Sequence, residues 1–488
     1  MSRIRALAKE SLVYGVSSLA SRFLNFLLTP FYTHVLSTAE FGVNTMVFIL
    51  IAFLNIVYQF GFDSAYLRLA SDTDEAGRRR LFATAFQGQA VLAAGFTAVL
   101  LLAADPVAQL LAIPPEHAHL LRWAGAILVL DTLCVVPFAH LRLSHQALAF
   151  SGIRMVNVVV NVGMNLLLIL RLGMGLDGVL LANIVASAVT FLLCSPLVFR
   201  HGRALLQGPA LRQLLRFGLP LVPAGLFFIV IEAAGRIVLS RLSQAEIDRL
   251  HPGMGYDVQS LIGVFSAAWK LGIFGMLLVQ MYRMAWQPFF LQRHKDADAP
   301  HLFGRVLLLL CLGVGYASVT LMVLLDWLVA VPVPVVGGPI IARPYWVGLP
   351  IVPWVLLAYA CEAWVVHFNL GIHIAKDTRY FMWTNGVGAL VAVSGNLLLV
   401  PRLGLIGAAL SACLCYLSMA VLITRRSQRH FPIELNASVL LRVFVWLALG
   451  WTLGIAVQAR PEDFPAAWRF VGLAVFWLLP LVLRAFPR

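Results

Sequence analysis

Seven ionisable side chains stand inside long apolar runs: Arg22, Asp131, Glu232, Arg236, Lys270, Arg283 and Glu362. A charge at the centre of a membrane helix costs roughly 2.5–3.5 kcal/mol on insertion scales, so each of them is a functional hypothesis. Cations in such positions can hold an anion, Arg through forked donors and Lys as a point charge. Acids can bind a proton or cation, or can anchor helices to one another. Asp131 and Glu362 are 231 positions apart, the offset of an internal repeat. They are expected to be lobe anchors, with polar neighbours such as His140 and His367, more than ion-coupling groups. Glu232 and Arg236 share one helical face at a spacing of four and can neutralise each other. Arg22 either serves as a ligand or pairs with an acid such as Asp63. Arg283 stands roughly 20 Å along its helix from Lys270, near a span end, where snorkelling competes with capture of a substrate. Asn25, Asn55, Gln59 and Gln280 can hydrogen-bond sugars, although helix contacts in membranes use the same residue types.

The elements that must position these groups follow from composition. Of 488 residues, 61% are apolar and 12% charged, at a mean hydropathy of +0.88. A soluble domain carries roughly 45–50% apolar and about 25% charged residues, so a soluble enzyme is excluded. A span needs about 20 apolar residues, and breakers divide the chain into 14 spans. These are 11–35, 42–67, 82–104, 120–141, 152–170, 177–199, 215–240, 261–290, 303–327, 351–372, 381–400, 405–424, 439–457 and 468–486. The chain is expected to be an all-α polytopic membrane protein with little room for another domain. Arg3, Arg5 and Lys9 precede the first apolar run as in a signal peptide, but the run passes Leu36 without a clear cleavage site and reads as a span.

The formal charge of +14 is scattered in short clusters between spans, which argues against nucleic acid. It sets topology instead: 24 Lys and Arg fall on the side of the N-terminus and 7 on the other. Both termini are therefore expected in the cytoplasm of a cytoplasmic (inner) membrane protein. The longest outside connections, around Glu246 to Gln259 and through Pro332 to Pro344, are short. Polymerases and ligases of surface sugars usually need a sizeable outside loop. The six cysteines lie in apolar runs without metal-site spacing, and no Gly-rich loop ending in Lys-Ser or Lys-Thr offers a nucleotide site. No cofactor or metal is expected, and energy must come from a gradient or the membrane potential.

Asn165-Leu-Leu-Leu with Arg171-Leu172-Gly173 recurs as Asn396-Leu-Leu-Leu with Arg402-Leu403-Gly404, and Leu36-Ser-Thr-Ala-Glu40 recurs as Leu242-Ser-Gln-Ala-Glu246. Six spans separate the mates, so the copies share one orientation. The expected plan is an N-terminal lobe at 1–205, a C-terminal lobe at 206–430 and two appended spans at 431–488. Parallel repeats of this kind are characteristic of transporters working by alternating access.

Ser17-Ser-Leu-Ala-Ser-Arg22, Thr29-Pro-Phe-Tyr-Thr33 leading to Leu36-Ser-Thr-Ala-Glu-Phe-Gly42, and Ala285-Trp-Gln-Pro-Phe-Phe290 carry a resemblance. With the 14-span plan, the chain resembles the polysaccharide-transport branch of the multidrug/oligosaccharidyl-lipid/polysaccharide (MOP) exporter superfamily. The resemblance implies a flippase moving an undecaprenyl-pyrophosphate-linked oligosaccharide, for O-antigen or exopolysaccharide, from the cytoplasmic to the periplasmic leaflet. Membrane lipids and polysaccharide assembly proteins are the implied partners. It also implies that spans one, two, seven and eight line a cavity, where Arg22, Arg236, Lys270 and Arg283 would meet a pyrophosphate. Lipid II flippases carry a Ser-Arg pair matching Ser21-Arg22 and a second arginine where this chain has Leu28, which favours another lipid-linked sugar. The alternatives are an ion-coupled multidrug exporter of the same superfamily and, from another class, a membrane polymerase or ligase.

Overall fold

Apolar side chains at helical spacing, punctuated by Gly, Pro and Ser-x-x-Glu signals, give a chain that is helical almost throughout. The computed structural model describes residues 26–334 and 337–482. Among these residues ten helices are long and apolar enough to cross a membrane, and an eleventh span results if one pair bent by 44° is joined. The chain is an all-α, multi-pass membrane protein. Most of the expected first span lies outside the described residues, and the last apolar helix has only 17 residues.

The chain divides into two compact units, one ending at Ile229 and the other starting at Val230. The first holds α1 (26–35), α2 (Thr38–Gln59), α3 (Phe62–Ser71), α4 (Glu75–Leu102), α5 (Ala104–Leu110), α6 (His119–Leu143), α7 (Ala147–Asn165), α8 (Gly175–His201) and α9 (Gly208–Gly218). Next, α10 (Val222–Leu239) runs across the boundary. Helix α6 is central, packing on α2, α3, α4 and α8. A core of Phe62, Tyr66, Phe82, Val136 and Leu214, each 0% exposed, joins α3, α4, α6 and α9.

The second unit holds α11 (Gln244–Leu250), α12 (Val258–Leu271), α13 (Ile273–Arg293), α14 (Ala299–Ala330), α15 (Val352–Ile374), α16 (Thr378–His430), α17 (Ala437–Ala459) and α18 (Ala466–Val482). Between α14 and α15 a two-residue hairpin pairs Pro332–Val333 with Gly338–Pro339. At 53 residues, α16 would be roughly 80 Å long if straight, far beyond a hydrocarbon core of about 30 Å. Gly404, at φ 57° and ψ −129°, breaks it between two of the expected spans. Close to the break, the Gly407 Cα approaches the Leu399 carbonyl so closely that a Cβ there would stand 2.3 Å from the oxygen.

The repeat is visible in local geometry. Ser37 and Glu40 form a capping box at the start of α2, and their mates Ser243 and Glu246 form another at α11. Asn165 and Asn396, 0% and 2% exposed, each donate to a carbonyl four residues back, at 2.8 and 2.7 Å. Gly173 and Gly404 both adopt positive φ. The second span of each copy is broken, at Phe60-Gly61 between α2 and α3 and at Gly272 between α12 and α13. Gly61 lies at φ +68°, and a Cβ on it would stand 2.6 Å from the Gly218 carbonyl oxygen. That position needs glycine both for its left-handed conformation and for the backbone approach.

Candidate functional site

Polar side chains converge inside the second unit from five helices. Glu232 and Arg236 lie one turn apart on α10. Ser266, Trp269 and Lys270 occupy one face of α12, immediately before the bend at Gly272, and Arg283 follows on α13. Tyr359 and Glu362 come from α15 and Tyr416 from the second half of α16. Gly235 permits the approach of α10: a Cβ on it would meet Ala408, Asn396 and Phe265 at 3.3–3.6 Å.

Glu232 and Arg236 do not form the side-chain pair that their spacing suggests. The Tyr416 hydroxyl donates to Glu232 Oε1 at 2.9 Å. Arg236 donates from Nη1 to the Glu232 backbone carbonyl at 2.7 Å and from Nε to Ser266 Oγ at 3.2 Å. Its guanidinium also sits over the rings of Phe265 and Trp269, at 5.4 and 5.3 Å. Neutral hydrogen bonds and two ring faces thus hold the guanidinium without a direct salt bridge among the described residues, with Glu232 within electrostatic reach. Lys270 is half-buried and within electrostatic reach of Arg236.

Arg283 meets an acid of the cluster. Its Nη2 donates to Glu362 Oε1 at 2.8 Å, with the arginine side chain 45% exposed and the carboxylate 11%. Nearby, His367 is fully buried, accepts or donates at Nδ1 to the Tyr282 hydroxyl at 2.7 Å, and stacks on Trp286 at 4.4 Å. The Trp286 indole donates to the His367 carbonyl at 3.0 Å. Glu362 therefore pairs with Arg283, and His367, expected beside it, serves the α13 aromatics instead.

In the first unit, Asp131 accepts from Ser187 Oγ at 2.7 Å, which ties α6 to α8. Arg154 lies within electrostatic reach of Asp131, with its guanidinium 4.5 Å from the Phe138 ring centroid. His140 bonds the Tyr66 hydroxyl at 2.8 Å rather than Asp131. Asp63 faces Arg142 at 3.7 Å. Arg22 and Asn25 lie outside the described residues.

Three residues have roles that the sequence reading missed. Tyr416 supplies its hydroxyl to Glu232, Tyr359 lies within electrostatic reach of both Glu232 and Glu362, and nothing in their spacing marks either tyrosine. Arg469 is 3% exposed and donates to both oxygens of Asp326, at 2.6 and 2.7 Å. It also donates to the Phe464 and Pro461 carbonyls, both at 2.8 Å, fixing α18 against α14.

Comparison with known proteins adds three findings. Residues 33–248, under half of the chain, match the family model described as polysaccharide biosynthesis protein. A solved structure of the lipid II flippase MurJ, in an inward closed conformation, superposes with a TM-score of 0.71 at 14% identity, covering 97% of this chain and 98% of that one. An inward-facing multidrug resistance MATE family transporter of the MOP superfamily gives 0.65 at 15% identity, covering 84% and 94%. The chain has the MOP-superfamily fold. A single-substitution form of the Vibrio cholerae MATE transporter VcmN shares that fold at a TM-score of 0.57 and 13% identity, covering 89% of this chain and 99% of that one. No curated protein matches the sequence.

Proposed function

We propose that this protein is a flippase that moves a polyprenyl-pyrophosphate-linked oligosaccharide repeat unit from the cytoplasmic to the periplasmic leaflet by alternating access. The observation that carries the reading is the excess of positive charge in the cluster of the second unit. Among the described residues, Arg236, Lys270 and Arg283 stand against Glu232 and Glu362, and Arg236 hydrogen-bonds neutral groups with Glu232 within electrostatic reach. A pyrophosphate entering the hydrocarbon must have its charge compensated, and a preformed cationic cluster in a low dielectric does so at short range. Arg236 and Lys270 are substrate ligands in this reading, and Arg22 is a third. Arg283 is held by Glu362 until substrate competes for it. Glu362 and Asp131 anchor helices within their units. The match of residues 33–248 to a polysaccharide biosynthesis family supports a sugar-bearing substrate.

The MATE-like fold also fits an ion-coupled multidrug exporter, with Glu232 and Glu362 as the coupling acids. Loss of the gene separates the two. The flippase reading expects loss of a surface polysaccharide, with single lipid-linked repeat units accumulating on the cytoplasmic leaflet. Drug hypersensitivity with intact polysaccharide would reject it in favour of the exporter.

A further inference from the structure

A cavity of about 770 Å³ in the second unit, lined by none of the side chains of the charged cluster, lies between α14, α15, α16 and α17. Its wall follows helical periodicity. Leu417, Val421 and Thr424 recur on one face of α16, and Phe444, Ala448 and Trp451 on one face of α17. It is partly open at its sides: Leu417, Val421 and Phe444 are 50%, 43% and 45% exposed. From Phe444 to Ile455 it extends roughly 17 Å along α17 by helix rise, close to the ~15 Å depth of one leaflet's hydrocarbon.

The two ends of this groove differ in charge. At the far end, Trp451 donates to the Pro353 carbonyl at 3.0 Å and closes the wall with apolar surface. At the near end stands Arg425, which is exposed and makes no ion pair or hydrogen bond among the described residues. Its neighbour Arg426 is already committed to Asp377 at 2.6 Å. Thr424 is committed as well, accepting from the Trp364 indole at 2.8 Å. No acidic residue lines the groove among the described residues. A leaflet-deep apolar slot with one uncompensated guanidinium at its mouth has the shape and charge of a phospholipid site.

We propose that this groove binds one anionic phospholipid of the leaflet on the Arg425 side, with its phosphate on Arg425 and an acyl chain running toward Trp451. The site is separate from the charged cluster, so the proposal stands whatever the protein transports. It is tested by native mass spectrometry of the full-length protein released from nanodiscs with equal phosphatidylglycerol and phosphatidylcholine. The wild type should retain phosphatidylglycerol about fivefold over phosphatidylcholine, the selectivity expected of one basic contact. Arg425→Gln should abolish that preference, and Arg429→Gln, outside the groove, should leave it intact. Ala448→Phe, which fills the slot from an exposed position, should lower retention of both lipids. If that variant fails to fold, Arg425→Gln alone carries the test. Equal retention of the two lipids by the wild type, or undiminished selectivity in Arg425→Gln, overturns the proposal. Displacement of phosphatidylglycerol by an equal amount of polyprenyl phosphate overturns it too, making the groove a carrier-lipid site.

Discussion

Arg236 and Tyr416 show how single residues prepare the cluster. The guanidinium is held by a serine, a backbone carbonyl and two ring faces, so its position is fixed while its charge stays available. Arg236→Ala and Lys270→Ala should each reduce export with membrane abundance near normal, because they remove a substrate contact more than packing. Arg236→Lys should recover only part of the activity, since a point charge cannot reproduce the fork. Quantified surface polysaccharide, normalised to protein in the membrane, checks this, and full export by a stably inserted Arg236→Ala, Lys270→Ala double variant refutes both as ligands. Tyr416→Phe takes the hydroxyl donor from Glu232, a half-buried acceptor, and the lost hydrogen bond costs about 1 kcal/mol. A lower thermal midpoint is the expected reading. Conversely, Asp131→Asn retains an oxygen for Ser187 to donate to, so export should survive it if the residue is an anchor. A well-expressed Asp131→Asn protein that binds substrate but ignores an imposed ion gradient would assign the residue to coupling.

At the scale of elements, the breaks in the helices carry as much information as the helices. Gly61 and Gly218 cross with backbone against backbone, and no side chain fits between them: a Cβ on Gly218 would stand 2.3 Å from the Phe60 carbonyl oxygen. Gly61→Ala adds a left-handed strain to that clash, whereas Gly95, with nothing within 4 Å of its added Cβ, should accept alanine. Thermal unfolding of the detergent-purified variants should show a clear loss for Gly61→Ala and almost none for Gly95→Ala; equal midpoints contradict the crossing. The ion pair of Arg469 with Asp326 is a second latch, and removing one partner of such a buried pair costs roughly 3–5 kcal/mol. Asp326→Ala should therefore release α18 to proteolysis before the rest of the chain unfolds.

The all-α, membrane-spanning character of the chain and its helix caps were legible in the sequence, because hydropathy and Ser-x-x-Glu capping signals act locally. Ser37 with Glu40 and Ser243 with Glu246 cap helices as their letters imply. Partner choice was not legible. Glu232 bonds a tyrosine 184 residues away and Glu362 an arginine 79 residues away, and no local pattern encodes which helices meet. The pairing of Arg469 with Asp326, 143 residues away, was hidden for the same reason.

For the whole molecule, the Lys and Arg asymmetry predicts orientation. Cysteine reporters placed between 73 and 80 should label only from the cytoplasm, and those near Gly253 only from the periplasm. The opposite pattern would reverse the direction of transport drawn from it. Direction matters because the MOP fold serves both drug export and lipid flipping, and only the cargo separates them. The central claim is that the cargo is a lipid-linked sugar, and one measurement addresses it directly. Purified protein in liposomes is given a fluorescent polyprenyl-pyrophosphate-linked oligosaccharide on one leaflet, and its appearance on the other is followed with a membrane-impermeant quencher. Protein-dependent transfer, strongly reduced in the Arg236→Ala, Lys270→Ala variant, is the predicted result. No transfer under any imposed ion gradient, by protein that carries a cationic drug in the same liposomes, would contradict the account.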